Sequence, residues 1–338
     1  MARRGPIRIG ITLGDINGIG PEIALKAAQG WAHGAAAGVR LVLIGPAEVL
    51  REQGERFGLE TPPVESCAQT QGTSRVIAWD VGGEPGLRWR PGSISSCAAR
   101  ASVAALRVAV AAARAGRLDA IVTCPIHKAA WGRAGISAPG HTELLAEWCG
   151  VRRFAMMLIG GPLRVLLVTR HIPLRQVARA VTRPAVREAI ELGRAGLEWL
   201  GLRAARIAVC GLNPHAGDGG RLGTEELRVV APEVRRARRL GWEVSGPVPA
   251  DTVFHQALAG RYDLVIAQYH DQGLAPLKMM AFESGVNLTL GLPIIRTSPD
   301  HGTAFDIAGR GVATPHSLLE AIRLAAKLAA RPNPWRAR

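Results

Sequence analysis

Short, continuously apolar runs alternate with helix-like segments along almost the whole chain, and that alternation limits what it can fold into. Ile7–Leu13 reads as a first strand. Pro21–Gly30 reads as a helix with proline at its first position, where the missing N–H costs nothing. Val39–Ile44 is a second strand, and Pro46–Glu52 opens a second helix. Residues 60–95 show no clear period and are rich in turn formers. Ala99–Ala115 reads as a long alanine-rich helix stopped by Gly116, and Leu118–Val122 as a buried strand. The scheme then repeats, with strands at Leu163–Thr169, Ala205–Cys210, Asp263–Ala267 and Val286–Leu290. Helices separate and follow them at Leu174–Val181, Arg183–Leu200, Glu225–Leu240, Asp251–Ala259 and Ser317–Ala329. Strands that are apolar throughout belong in sheets covered on both faces, and β alternating with α builds parallel sheets. The expected fold class is therefore α/β.

A chain of 338 residues, 48% hydrophobic, is long for one core and comfortable for two lobes. No low-complexity linker separates them, so the boundaries fall at ordinary loops. The division expected is 1–125 plus 295–338 as one lobe and 126–294 as the other.

The net charge is +15, from 42 basic and 27 acidic residues, which raises the possibility of a nucleic-acid-binding protein. Against it, the basic residues are almost all arginine, are scattered, and have few aromatic residues among them. An anionic small-molecule substrate is a better use for some of this charge, with no nucleic-acid partner expected. Only four lysines occur, and two of them, Lys128 and Lys278, fall in polar motifs. Five cysteines, an odd count without metal spacing, fit a reducing compartment. The first residues lack an apolar signal region, and no stretch reads as long enough to cross a membrane. A cytoplasmic protein with no membrane partner is expected.

Three of nine histidines share one setting. His171 follows the run ending at Thr169, His215 follows Cys210 by way of Gly211-Leu212-Asn213-Pro214, and His270 follows Gln268 almost directly. Ligands of open parallel sheets bind beyond the carboxyl ends of the strands, so three imidazoles placed there could converge on a divalent metal. Three unrelated loop histidines remain the alternative. Other polar residues cluster in similar places: Gly140-His141-Thr142-Glu143 before a helix, the glycine-rich Asn213–Gly220, and Tyr269-His270-Asp271-Gln272-Gly273. Lys278, Asn287 and Arg296 are candidates for gripping carboxylate or phosphate. No GxGxxG fingerprint with a downstream acid follows a strand, and the glycine-rich Gly14–Gly20 lacks a Walker A ending.

These motifs, taken with Gly18-Ile19-Gly20-Pro21-Glu22, Pro249-Ala250-Asp251-Thr252 and Gly291 through Gly311, resemble the 4-hydroxythreonine-4-phosphate dehydrogenase family along nearly the whole chain. The resemblance implies two α/β/α lobes like those of isocitrate and isopropylmalate dehydrogenases, with the active site in the cleft between them. The lobe 1–125 plus 295–338 would be the cofactor side, and 126–294 the metal, substrate and dimerisation side. It implies that His171, His215 and His270 ligate a divalent metal (Zn, Mg or Co), and that His141, Thr142, Lys278, Asn287 and Arg296 bind substrate. Asp271 and Lys278 are the catalytic candidates, with Lys278 placed to transfer a proton. The run Asp300–Gly311 is similar to the loop that holds the adenosine part of the cofactor, so His301, Gly302, Thr303 and Ala304 would bind NAD, with NADP left open. The family forms homodimers in which both subunits contribute to each site.

The implied reaction oxidises the secondary hydroxyl of 4-phosphooxy-L-threonine with NAD⁺, followed by loss of CO₂ to give 3-amino-2-oxopropyl phosphate for pyridoxal 5′-phosphate (vitamin B6) synthesis. A sibling activity on D-threonate or D-erythronate 4-phosphate is the alternative. The run Arg296–Thr303 favours the vitamin B6 branch. Asp15-Ile16-Asn17, Cys124, His127 and Arg221 depart from the usual family pattern and bear on substrate identity.

Overall fold

The computed structural model describes residues 5–34, 38–67, 74–84 and 87–336; the first four residues of the amino-terminal reading lie outside them. The chain forms two compact units, Met1–Val151 with Leu292–Arg338, and Arg152–Gly291.

The first unit starts with β1 (Ile7–Thr12), β2 (Val39–Gly45), β3 (Val64–Glu65), β4 (Val76–Asp80) and β5 (Ala120–Thr123), interleaved with α1 (Gly20–His33), α2 (Ala47–Phe57) and α3 (Ser96–Arg114). Helices α4 (Lys128–Arg133) and α5 (His141–Trp148) follow. The second unit holds β6 (Ala155–Gly160), β7 (Leu163–Leu167), α6 (Leu174–Ala180), α7 (Arg183–Leu200), β8 (Ile207–Cys210) and α8 (Ala231–Arg239). It continues with β9 (Val244–Val248), α9 (Ala250–Leu258), β10 (Leu264–Ala267), α10 (His270–Ala281) and β11 (Val286–Leu290). The chain returns to the first unit for β12 (Arg296–Pro299) and α11 (His316–Ala329).

In the first unit the strand order is β3-β4-β2-β1-β5-β12, every pair parallel. In the second it is β11-β6-β7-β10-β8-β9, with β6 antiparallel to both neighbours and the remaining pairs parallel. The expectation of mostly parallel α/β sheets is met.

Local chemistry explains the elements. Ser95 caps α3 by accepting from the Ala98 amide at 3.3 Å, and Thr182 caps α7 by accepting from Ala185 at 3.4 Å. Ten residues of α3 are buried on the sheet. This helix, at 19 residues and hydropathy 1.4, does have the length and composition to cross a membrane, contrary to the sequence expectation. Its buried alanine face makes it a core helix.

Five strands went unread: β3, β4, β6, β9 and β12. Val76–Asp80 lies in the stretch read as irregular, yet its first four residues are buried. Ala155–Gly160 forms a hairpin with β7 through Gly160-Gly161-Pro162, where Gly161 takes φ +54°, a turn signal visible in the sequence.

The unit boundary falls at residue 151 rather than 125. The reason is packing: Trp131 on α4 donates its indole N–H to Ser102 of α3 at 2.9 Å, and Arg114 donates to the Trp148 carbonyl at 3.1 Å. His141 and Thr142 therefore belong to the first unit.

Candidate active-site residues

In the second unit, β7, β10 and β8 are adjacent and parallel, so the segments carrying His171, His270 and His215 leave the same end of the sheet side by side. The His171 and His270 rings lie 5.5 Å apart between centroids, beside a cavity of about 290 Å³ that also has Tyr269 and Asp271 in its wall. Asp271 accepts from or shares a proton with His270 Nδ1 at 2.7 Å, which leaves Nε2 of that ring free to ligate. The third histidine is not gathered with these two. Among the described residues no set of three His, Cys, Asp or Glu side chains closes on one point. His215 stands exposed on a turn in which His215, Ala216, Gly217, Asp218 and Gly219 all have positive φ. Three of these carry Cβ atoms, which L-residues tolerate in that region only at a cost.

Lys278 lies two turns along α10 from His270, half-buried, its ammonium 5.9 Å from the Phe282 ring centroid. The apolar neighbours that made it look buried in sequence are partly surface: Leu277 is buried, but Met279 is 90% and Phe282 72% exposed. Asn287 is buried on β11, and its side-chain oxygen has no protein partner.

The first unit gathers three of the residues expected to bind substrate. Arg296 is 3% exposed. Its guanidinium donates to the Thr123 hydroxyl from Nε at 3.2 Å and from Nη2 at 2.7 Å, and from Nη1 to the Thr142 hydroxyl at 3.5 Å. Burial lowers its pKa to about 10, so it stays charged at neutral pH. His141 beside it is buried edge-on to Trp131, with ring centroids 5.5 Å apart. Burial, then repulsion from Arg296, holds its pKa well below the ordinary value, so this imidazole is neutral.

The loop expected to hold the cofactor begins at His301, whose Nδ1 lies 3.0 Å from the Gly302 carbonyl; Thr303 is buried and Ala304 is left-handed at φ +43°. The glycine turn after β1 braces this loop. Ile19 donates its amide to the Thr303 carbonyl at 3.0 Å, and a Cβ on Gly18 would stand 2.8 Å from that oxygen. His127 stacks on Phe305 at 4.6 Å. Lys26 donates to Glu22 and to the carbonyls of Gly311 and Ala313 at 2.7–2.8 Å, tying α1 to the end of the loop.

Glu226 went unrecognised in sequence, and Asp15 and Asn17 stood out there only as departures from the family pattern. Asp15 is buried, with burial raising its pKa to about 6 against the opposing Asn17 amide and His127. Asn17 accepts from the Arg90 amide at 2.8 Å. Glu226 accepts from the Leu212 amide at 2.8 Å and the Asn213 amide at 2.7 Å, holding the start of the turn that carries His215. Asn17 and Glu226 find these partners 13 to 73 residues away, which no local pattern marks.

Parallel α/β units of this kind, with polar side chains gathered at the ends of neighbouring strands in the second unit, are the scaffold of an enzyme. Residues 38–325 match the family described as pyridoxal phosphate biosynthetic protein PdxA, and the chain belongs to that family of oxidoreductases. The chain is 43% identical to 4-hydroxythreonine-4-phosphate dehydrogenase of Beijerinckia indica over 97% of this chain and 96% of that protein. It is 44% identical to D-threonate 4-phosphate dehydrogenase of Cupriavidus necator, over 96% and 97% respectively. A crystal structure of 4-hydroxythreonine-4-phosphate dehydrogenase from Klebsiella pneumoniae, 41% identical, superposes with a TM-score of 0.83 over 96% of this chain and 99% of that one.

Proposed function

We propose that this chain is a cytoplasmic, metal-dependent 4-hydroxythreonine-4-phosphate dehydrogenase, which oxidises 4-phosphooxy-L-threonine with NAD⁺ in vitamin B6 synthesis. The observation that carries the reading is buried Arg296 beside neutral His141, a charged grip with an uncharged hydrogen-bonding partner in a chain of this family. Arg296 and Thr142 hold the anionic part of the substrate, charge-assisted bonds being the strong ones. His141, neutral, orients a substrate oxygen without adding repulsion to Arg296. Asn287 offers its unpartnered amide oxygen to a substrate donor.

The donor set of the second unit fits a divalent ion. His171 and His270 are close, and Asp271 fixes the tautomer of His270. His215 is the third ligand, and its separation within one chain fits a site completed across a homodimer. A bound ion and NAD⁺ together would supply Lewis acidity at the hydroxyl and an acceptor for hydride. Lys278 then takes or returns the proton. The resulting β-keto acid loses CO₂ because the adjacent ketone can accept the electron pair. His301, Gly302, Thr303 and Ala304 hold the dinucleotide, with the Gly18 turn as their support.

The test is NADH formation at 340 nm with 4-phosphooxy-L-threonine, before and after chelation and with Zn²⁺, Mg²⁺ or Co²⁺ restored. Turnover that chelation removes and metal restores supports the reading. Turnover only with D-threonate or D-erythronate 4-phosphate would instead place the chain with the relative of Cupriavidus necator.

A further inference from the structure

We propose that Gln268 and Gln272 form a positioning hub that sets the three histidine-bearing strand ends of the second unit at their working spacing; this rests on the metal reading above. Parallel strands stop hydrogen bonding to one another where the sheet ends, so the segments beyond are free to splay. Here they are tied. The Gln268 carbonyl accepts from both the amide and the hydroxyl of Thr169, at 3.1 and 2.6 Å, two residues before His171. The Gln268 side chain donates from Nε2 to the Cys210 carbonyl at 2.6 Å, at the end of the strand that leads to His215. The Gln268 amide donates to Gln272 Oε1 at 2.7 Å, across the start of the helix that carries His270. Gln272 then donates from Nε2 to the Gly211 carbonyl at 2.9 Å. Two adjacent glutamines on one helix entry therefore hold all three segments.

The energetics say the hub is kept for position rather than for stability. Gln268 is fully buried, and its Oε1 has no protein partner. A buried amide oxygen left unpaired carries a desolvation cost that an apolar side chain would avoid. Departures from local economy of this kind concentrate at functional sites. The demand is clearest for His215, because the turn that bears it is left-handed at five successive positions.

The test uses the full-length apo protein with Zn²⁺ alone, titrated against a chromophoric chelator, together with hydrogen exchange of segments 169–171 and 211–217. Gln272→Met keeps the length of the side chain and removes both bonds. Gln272→Glu keeps the acceptor for Gln268 and loses only the donor to Gly211. We expect Gln272→Met to weaken Zn²⁺ binding by about 10- to 100-fold, the usual effect of removing a group that orients metal ligands. Exchange in both segments should speed up while the Tm falls only slightly, and Gln272→Glu should recover protection in 169–171 but not in 211–217. Parental Zn²⁺ affinity and parental exchange in Gln272→Met would overturn the hub, as would a fall in Tm with neither change. If the parent protein itself binds no Zn²⁺, or binds it equally after His270→Ala, the metal reading fails. The exchange pattern then still decides whether the glutamines set the spacing.

Discussion

At the end of β1 the Asp15 carboxyl is out of water, with one oxygen accepting from the Asn17 amide at 3.0 Å and the other unpartnered. Burial raises its pKa from 3.8 to about 6. A carboxyl whose native pKa is raised binds its proton more tightly folded than unfolded. Its contribution is complete below pH 3.8 and is lost as pH rises through about 6. About two pKa units at 1.36 kcal/mol each correspond to about 3 kcal/mol lost above that window. Asp15→Asn should therefore be more stable than the parent at pH 8 by up to about 3 kcal/mol and indistinguishable near pH 4, as read from urea midpoints. Equal pH slopes for the two proteins would show that Asp15 is not held protonated. At this same scale, Arg296, Asn287 and His141 could be picked out in sequence because each is a polar residue set beside strand-like or helix-like runs. Glu226 and Gln268 could not, and Asp15 and Gln272 stood in quoted motifs without a role of their own. An amide or carboxylate announces itself only through the atoms it faces, and those lie up to 61 residues away in the case of Gln272 and Gly211.

Among the elements, the glycine turn after β1 and the loop after β12 act as a pair. Gly18 lies against Thr303, where an added Cβ would come within 2.8 Å of the carbonyl oxygen and 2.9 Å of the Thr303 Cβ. Gly18→Ala should push the loop outward and raise the Kd for NAD⁺ by about 10-fold, or ~1.4 kcal/mol, with little change in phosphate-substrate affinity. Isothermal titration of each ligand separately checks this, and an unchanged NAD⁺ affinity would remove the loop from the cofactor site. Most strands and helices were legible, because continuous apolar runs and capped, periodic segments are local signals. The exceptions have physical reasons. Val76–Asp80 is a five-residue strand without helical neighbours in its flanks, and Glu226–Val230 winds as a π-turn inside what periodicity reads as one helix.

For the whole molecule, the second unit leaves Leu174, Leu227, Met279 and Phe282 more than half exposed. On the proposed reading these side chains belong to the surface that a second copy of the chain covers. A homodimer is the expected cover. The chain should run in light scattering at twice 35.8 kDa, and Phe282→Asp with Met279→Asp should shift it toward one chain and cut turnover at least 10-fold. A single-chain mass for the parent at micromolar concentration would refute the dimer.

By itself the sequence determined the α/β class, the mostly parallel sheets and the family, because apolar runs, caps and glycine turns act over a few residues. It also located the histidines beyond three strand ends. Only the tertiary structure decided that β7, β10 and β8 are neighbours, that His171 and His270 meet while His215 stands apart, and that α4 and α5 belong with the first unit. Those outcomes depend on which strand pairs with which and on hydrogen bonds such as those of Gln268 and Glu226, and long-range pairing leaves no periodic trace in the chain.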